Sequence, residues 1–195
     1  MQLNQLLKQI EFIKEIDKLK YIQRKTKLFN SNRNENDAEH SWHLAMMVLI
    51  LAEHSNASID ILKVLKMVLI HDIVEIDAGD TFLYDTTKNH VNTEEELIAA
   101  HRIFGILPES QAQEFISIWQ EFEEGKSNEA KFAKTMDRLE PILQNMSNNG
   151  GTWAEFNVSY DTVIEKTKGI VKGSTTIWEY TENQLHEAVD KGILK

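Results

Sequence analysis

An all-α fold is what this sequence predicts, and two observations carry it. Apolar residues recur at helical spacing along most of the chain, and only 8 Gly and 2 Pro interrupt them. The 195 residues suit one domain with a single sizeable core, or at most a domain plus an appendage. No segment approaches 18 uninterrupted apolar residues, so a membrane span is not expected. The opening Met1-Gln-Leu-Asn lacks a basic region followed by an apolar core, so no secretory signal is read there. With no cysteines, disulfides and thiolate ligands are excluded, which fits a cytoplasmic address. A net charge of −10 disfavours a polymeric nucleic acid as partner, whereas a small phosphate ester needs only a bound cation and one or two local bases.

Taken in order, residues 3 to 23 read as a first amphipathic helix, with Lys14, Lys18 and Lys20 on its wet side. Residues 24 to 36 form a polar connection without apolar periodicity. Asn36 or Asp37 caps a helix from Ala38 to Ala52. Asn56-Ala57-Ser58 breaks it, and Ser58 or Asp60 caps the next helix, whose apolar run Ile61 to Ile70 ends in His71-Asp72. Residues 81 to 90 read as a loop or lid. Thr93 caps a fourth helix with Glu94-Glu95-Glu96 in its first turn, an acidic run that suits the helix dipole. Pro108, at N1, starts a fifth helix with Phe115, Ile118, Trp119 and Phe122 inward, closed by Gly125 to Asn128. The sixth, from 128 to 147, carries a stripe of Phe132, Met136, Leu139, Leu143 and Met146 and is expected to kink near Pro141. Asn148-Asn149-Gly150-Gly151 is the clearest break. Beyond it, helices at 157–172 and 175–191 are separated by Gly173-Ser174.

Chemistry concentrates in three of these segments. His71 and Asp72 arrive abruptly at the end of a segment that reads as buried, where imidazole and carboxylate groups need partners. A short connection makes the second and third helices antiparallel neighbours, so His40 near the start of one lies beside His71 near the end of the other. They converge although 71 − 40 = 31 positions apart. Asp137 flanks the stripe of the sixth helix, where a charge is costly unless something positive meets it. Two imidazoles and two carboxylates make a nitrogen–oxygen donor set for a transition metal.

His40, then His71-Asp72, then Asp137 resemble the H…HD…D pattern of the HD-domain metal-dependent phosphohydrolases, most closely the 5′-deoxynucleotidase branch. Arg33-Asn-Glu35-Asn-Asp-Ala-Glu39-His40 is similar to a segment of that branch, as are His71-Asp72-x-x-Glu75-x-x-x-Gly79-Asp80, Leu107-Pro108-Glu109 and Asp137 through Gln144. The likeness covers residues 10 to 150 and implies a single HD-domain helical bundle with a metal site between helices. Residues 1–150 would be the hydrolase core, and 151–195 would complete the same domain or make a dimer contact.

The resemblance implies one divalent ion (Co2+, Mn2+, Ni2+, Fe2+, Zn2+ or Mg2+) on His40, His71, Asp72 and Asp137. It also implies Glu75 as catalytic acid or base and Asp80 as a group that contacts the sugar or shapes the site. Arg24 and Arg33 are the candidate phosphate clamps. Where the bacterial branch carries an Arg-Trp pair, this chain has Lys25 in place of the Trp. His90 and His101 lack a second ligand signature, which favours a single metal. The expected activity is cleavage of (deoxy)nucleoside 5′-monophosphates to nucleoside and phosphate by a cytoplasmic homodimer. The alternatives are hydrolysis of another nucleotide (a dNTP or cyclic nucleotide), for which few Lys and Arg are expected near the site, and a non-catalytic metal-binding regulator.

Overall fold

A computed structural model describes residues 2–85 and 94–195. The predominantly helical architecture is as predicted, but residues 24 to 36, read as a polar connection, carry a strand pair. Strands β1 (Gln23–Lys27) and β2 (Asn34–Asn36) pair antiparallel, with Gln23 opposite Asn36 and Lys27 opposite Asn34. Such short polar strands carry no apolar alternation to announce them. Their inward positions are instead Thr26 and Glu35, both buried. The hairpin is tied to the rest by Asn148, whose amide donates to the Leu28 carbonyl and accepts from the Ser31 N–H.

The first helix is shorter than expected. Helix α1 spans Gln2–Glu15, and Ile16–Tyr21 tightens into a 3₁₀ turn. Of its apolar stripe, Phe12 is buried against Phe104 and Phe115, while Leu3, Leu6, Leu7 and Ile13 are exposed. Helix α2 (Asp37–Leu51) starts at Asn36 through a capping box with Glu39, and α3 (Ile61–Ile70) starts at Asp60, which accepts from the Lys63 N–H. The two pack as neighbours, which brings the rings of His40 and His71 to 5.7 Å between centroids.

After α3 the chain tightens into a 3₁₀ turn, His71–Val74, then the single turn α4 (Glu75–Ala78). Gly79 follows at φ 77°, a conformation other residues resist, and the reversal turns Asp80 back towards the turn it has just left. The expected lid is described only to Asp85; its remainder, His90 and the Thr93 cap lie outside the described residues.

Helix α5 (Glu94–Phe104) leads to α6 (Glu109–Glu124), where Pro108 takes the N-cap place instead of N1 and Gly125 closes the helix in the left-handed region. Helix α7 (Asn128–Ser147), capped by Ser127, runs through Pro141. Because Pro141 has no N–H, the Asp137 carbonyl lacks its usual intrahelical donor. Phe132, Ala133, Met136, Leu139 and Ile142 put α7 in the same buried cluster as Leu44 and Val48 of α2 and Val64 and Met67 of α3, and α7 packs against both helices. The chain continues through α8 (Gly151–Glu155), α9 (Tyr160–Thr167), a 3₁₀ turn (Lys168–Lys172) and α10 (Thr175–Asp190), which Ser174 caps. Ile170, Ile177 and Leu185 join the same buried cluster. Among the described residues no helix is long and apolar enough to cross a membrane.

The turn before α10 approaches α7 closely. A Cβ on Gly173 would stand 2.5 Å from the Lys131 carbonyl oxygen and 2.3 Å from Thr135 Oγ1. Gly173→Ala is therefore expected to destabilise the protein by about 1–3 kcal/mol, as overpacking does. A lowered urea midpoint at unchanged slope would register this.

Candidate active site

Three elements converge on one point. The first turn of α2 carries His40, the turn after α3 carries His71 and Asp72, and the middle of α7 carries Asp137. His40 Nε2 lies 3.2 Å from Asp137 Oδ1, His71 Nε2 lies 3.7 Å from the same oxygen, and His71 Nε2 is 3.1 Å from Asp72 Oδ1. All four residues are buried. The structure thus brings the sequence-predicted quartet together.

The protonation pattern suits a cation. His71 Nδ1 lies 3.0 Å from the Val68 carbonyl, an arrangement that places its proton there and leaves the Nε2 lone pair bare. That Nε2 is buried without a hydrogen-bond partner. Behind the other ring, His40 Nδ1 faces Glu35 Oε2 at 3.4 Å and Glu140 Oε2 at 3.3 Å. A carboxylate behind a histidine is the usual way to orient it and hold its tautomer for a metal. The donor set therefore fits a divalent ion.

Burial, hydrogen bonds and neighbouring charges together set the protonation of the cluster. Burial and Arg24 oppose protonation of His40, yet hydrogen bonds to Asp137, Glu140 and Glu35 hold its pKa well above the ordinary imidazole range. Burial penalises the Asp137 carboxylate, but the charge of Arg138 and the bond from His40 keep its pKa well below the usual range. Glu140 is held down to about 2 in the same way: burial opposes ionisation, and the bonds to His40 and His43 prevail.

A second group of acids lies alongside. Asp37, Glu75 and Asp80 each place a carboxylate oxygen within 4.8 Å of the others. Asp37 is pushed up to about 7, first by burial and then by the charge of Asp72, and burial likewise lifts Glu75 well above the carboxylate range. Burial also raises Asp80, against the pull of Arg24. An all-oxygen group of this kind is suited to a hard cation.

Arg24, on β1, reaches between the two groups. Its guanidinium lies 3.0 Å from Asp72 Oδ2, 3.6 Å from Asp37 Oδ1 and 3.5 Å from Glu35 Oε2. Arg33 is placed elsewhere. It is exposed, forms a bidentate pair with Glu39 at 2.9 and 3.0 Å, and does not line the site cavity. A cavity of about 170 Å³ opens beside the quartet, walled by His71, Asp72, Asp137, Glu75, Asp80 and Arg24. Lys25, Lys134 and Arg138 also line it, so more basic groups gather here than the sequence led us to expect. Phe82 and Tyr84 close one side.

Glu35, Asp37, Glu140 and Gln144 entered the sequence reading only within motifs or, for Asp37, as a possible helix cap. One signal was available. Glu140 and Gln144 follow Asp137 at i+3 and i+7, which places them on its face of α7.

A model of the HD domain matches residues 16–178, and the chain belongs to that family. Divalent-metal dependence comes with membership, and the buried histidine and carboxylate groups could hold such an ion. Among solved structures, a predicted metal-dependent phosphohydrolase from Magnetospirillum magnetotacticum MS-1 is 46% identical with a TM-score of 0.94, over 98% of this chain and 96% of that one. The 5′-deoxynucleotidase HDDC2 of Bos taurus is 28% identical over 80% of this chain and 77% of its own length. That of Dictyostelium discoideum is 32% identical over 69% and 74%.

Loading the site should relieve repulsion among buried carboxylates. Mn2+ or Co2+ at a hundred times its Kd is expected to stabilise the fold by about 2.7 kcal/mol, reversibly by chelation. Thermal melts of wild type and Asp137→Ala check this, with the shift confined to wild type.

Proposed function

We propose that the chain is a metal-dependent 5′-nucleotidase that cleaves deoxynucleoside 5′-monophosphates to nucleoside and phosphate. The observation that carries this reading is the quartet opening on a small cavity walled by both acids and bases. Its relatives named 5′-deoxynucleotidase support the substrate class. His40, His71, Asp72 and Asp137 hold one divalent ion, and their nitrogen–oxygen mixture suits Co2+, Mn2+, Ni2+, Fe2+ or Zn2+ better than Mg2+. Such an ion, when bound, acidifies water and neutralises charge on the phosphoryl oxygens.

The chain's own groups do the rest. Arg24 and the basic wall attract the phosphate into an otherwise acidic protein. Glu75, half-buried on the cavity wall, transfers the proton between the attacking water and the leaving 5′ oxygen. Asp80, turned inward by Gly79, meets the sugar. In place of Arg33, Arg138 and Lys134 are the further bases within reach, although Arg138 already pairs with Asp137 at 3.0 Å and Lys134 lies over Phe122. That basic wall also favours a second reading, a substrate with more phosphates, which a panel of dNMPs and dNTPs separates.

The chain works as a cytoplasmic homodimer, with residues 151–195 completing the core. Exposed Leu3, Leu6, Leu7 and Ile13 on α1, and Leu49 and Ile50 on α2, support the dimer as apolar surface that a partner would cover. Sedimentation equilibrium should give twice the 22.5 kDa chain mass, and charged substitutions at Leu6 and Leu49 should reduce it to one.

With Mn2+ or Co2+, phosphate release from dNMPs is expected. Glu75→Gln should lower kcat by about 10²–10⁴-fold while bound metal stays at the wild-type level. Equal turnover by the variant would remove Glu75 from the reaction.

A further inference from the structure

We propose that Glu35 is a positioning residue that serves the metal-binding imidazole and the phosphate-facing guanidinium at once. The inference rests on the reading of His40 as a ligand and Arg24 as the clamp. Glu35 is 1% exposed and comes from β2, whereas Arg24 comes from the paired strand β1. One oxygen of its carboxylate, Oε2, stands 3.4 Å from His40 Nδ1 and 3.5 Å from Arg24 Nε. The other, Oε1, accepts from Gln144 Nε2 at 2.7 Å. The hairpin thus fixes the distance between an ion on His40 and a phosphate on Arg24, which productive phosphoryl transfer requires to within about half an ångström.

Glu140 supplies the contrast. It faces the same His40 nitrogen at 3.3 Å, but its other close partners are His43, at 3.1 Å, and Gln144. Glu140 therefore positions the imidazole without holding the guanidinium.

Hydrogen-bond polarity makes Glu35 hard to replace. Every neighbour of its carboxylate is a donor: His40 Nδ1–H, Arg24 Nε–H and the Gln144 amide. In Glu35→Gln, the new NH2 must face either the Gln144 NH2 or the His40 and Arg24 donors. Turning Gln144 over does not resolve the conflict, because its oxygen would then face the Glu140 carboxylate. Shape is kept, and the acceptor pattern is not.

The test uses Co2+ and inorganic phosphate as probes. Calorimetry and the visible Co2+ spectrum follow the metal, and phosphate is then titrated into Co2+-saturated protein. Glu35→Gln should bind Co2+ about 10–100-fold more weakly with an altered spectrum. At Co2+ saturation it should also bind phosphate roughly 10-fold more weakly. Glu140→Gln should weaken Co2+ comparably and leave phosphate binding at saturation unchanged. Combining Arg24→Gln with Glu35→Gln should cost less phosphate affinity than the sum of the two. If Glu35→Gln does not fold, Glu35→Asp, which keeps the charge but shortens its reach, should show the same paired losses. Wild-type phosphate affinity in the Glu35 variant at Co2+ saturation would overturn the proposal, as would both losses appearing equally in Glu140→Gln. If wild-type protein failed to bind Co2+, the metal reading would fall first, and the two failures are thereby distinguished.

Discussion

The structure depends on one constraint: more carboxylates are buried at this site than its cations can neutralise. Glu35, Asp37, Asp72, Asp137 and Glu140 are all buried, and the basic groups closest to them are Arg24, Arg138, His40 and His43. A buried charge left unpaired costs several kcal/mol, so such a cluster persists only where hydrogen bonds and opposite charges are laid out around it. A divalent cation is the group the cluster is short of. Burial raises Asp37 and Glu75 despite the pull of Arg24, whereas the bonds from imidazoles, and for Asp137 the charge of Arg138, hold Asp137 and Glu140 down.

The rest of the fold serves to hold these charges in place. Asn36 caps α2 so that His40 falls in its first turns, and Asp60 caps α3 so that His71 falls at its end. Core packing of α7 against both helices places Asp137 opposite the two rings. The hairpin then inserts Arg24 and Glu35 from the side. Rigid helices fix His40, His71, Asp72 and Asp137 and a tethered hairpin fixes Arg24, so the proposed metal and phosphate sides are preorganised together.

Much of this was legible in the sequence because it rests on local rules. Caps, apolar spacing and a short connection were enough to pair His40 with His71, and the position of Asp137 beside the α7 stripe brought in the third element. The hairpin was not legible, since Gln23–Lys27 and Asn34–Asn36 are polar and lack a period-two apolar pattern. Glu35, Glu140 and Gln144 were missed as a network for a related reason: burial of polar side chains is decided by tertiary contact, and composition marks them as surface. Arg33 is the converse case. Its charge made it a candidate clamp, but in the structure it pairs with Glu39 in the first turn of α2.

Anomalous diffraction from a Mn2+-loaded crystal tests the central claim most directly. The account predicts a peak enclosed by His40 Nε2, His71 Nε2, Asp72 and Asp137, about 2 Å from the nitrogen donors. The His40 ring should be turned with Nδ1 towards Glu35 and Glu140. A loaded crystal with no peak among these four side chains would contradict it.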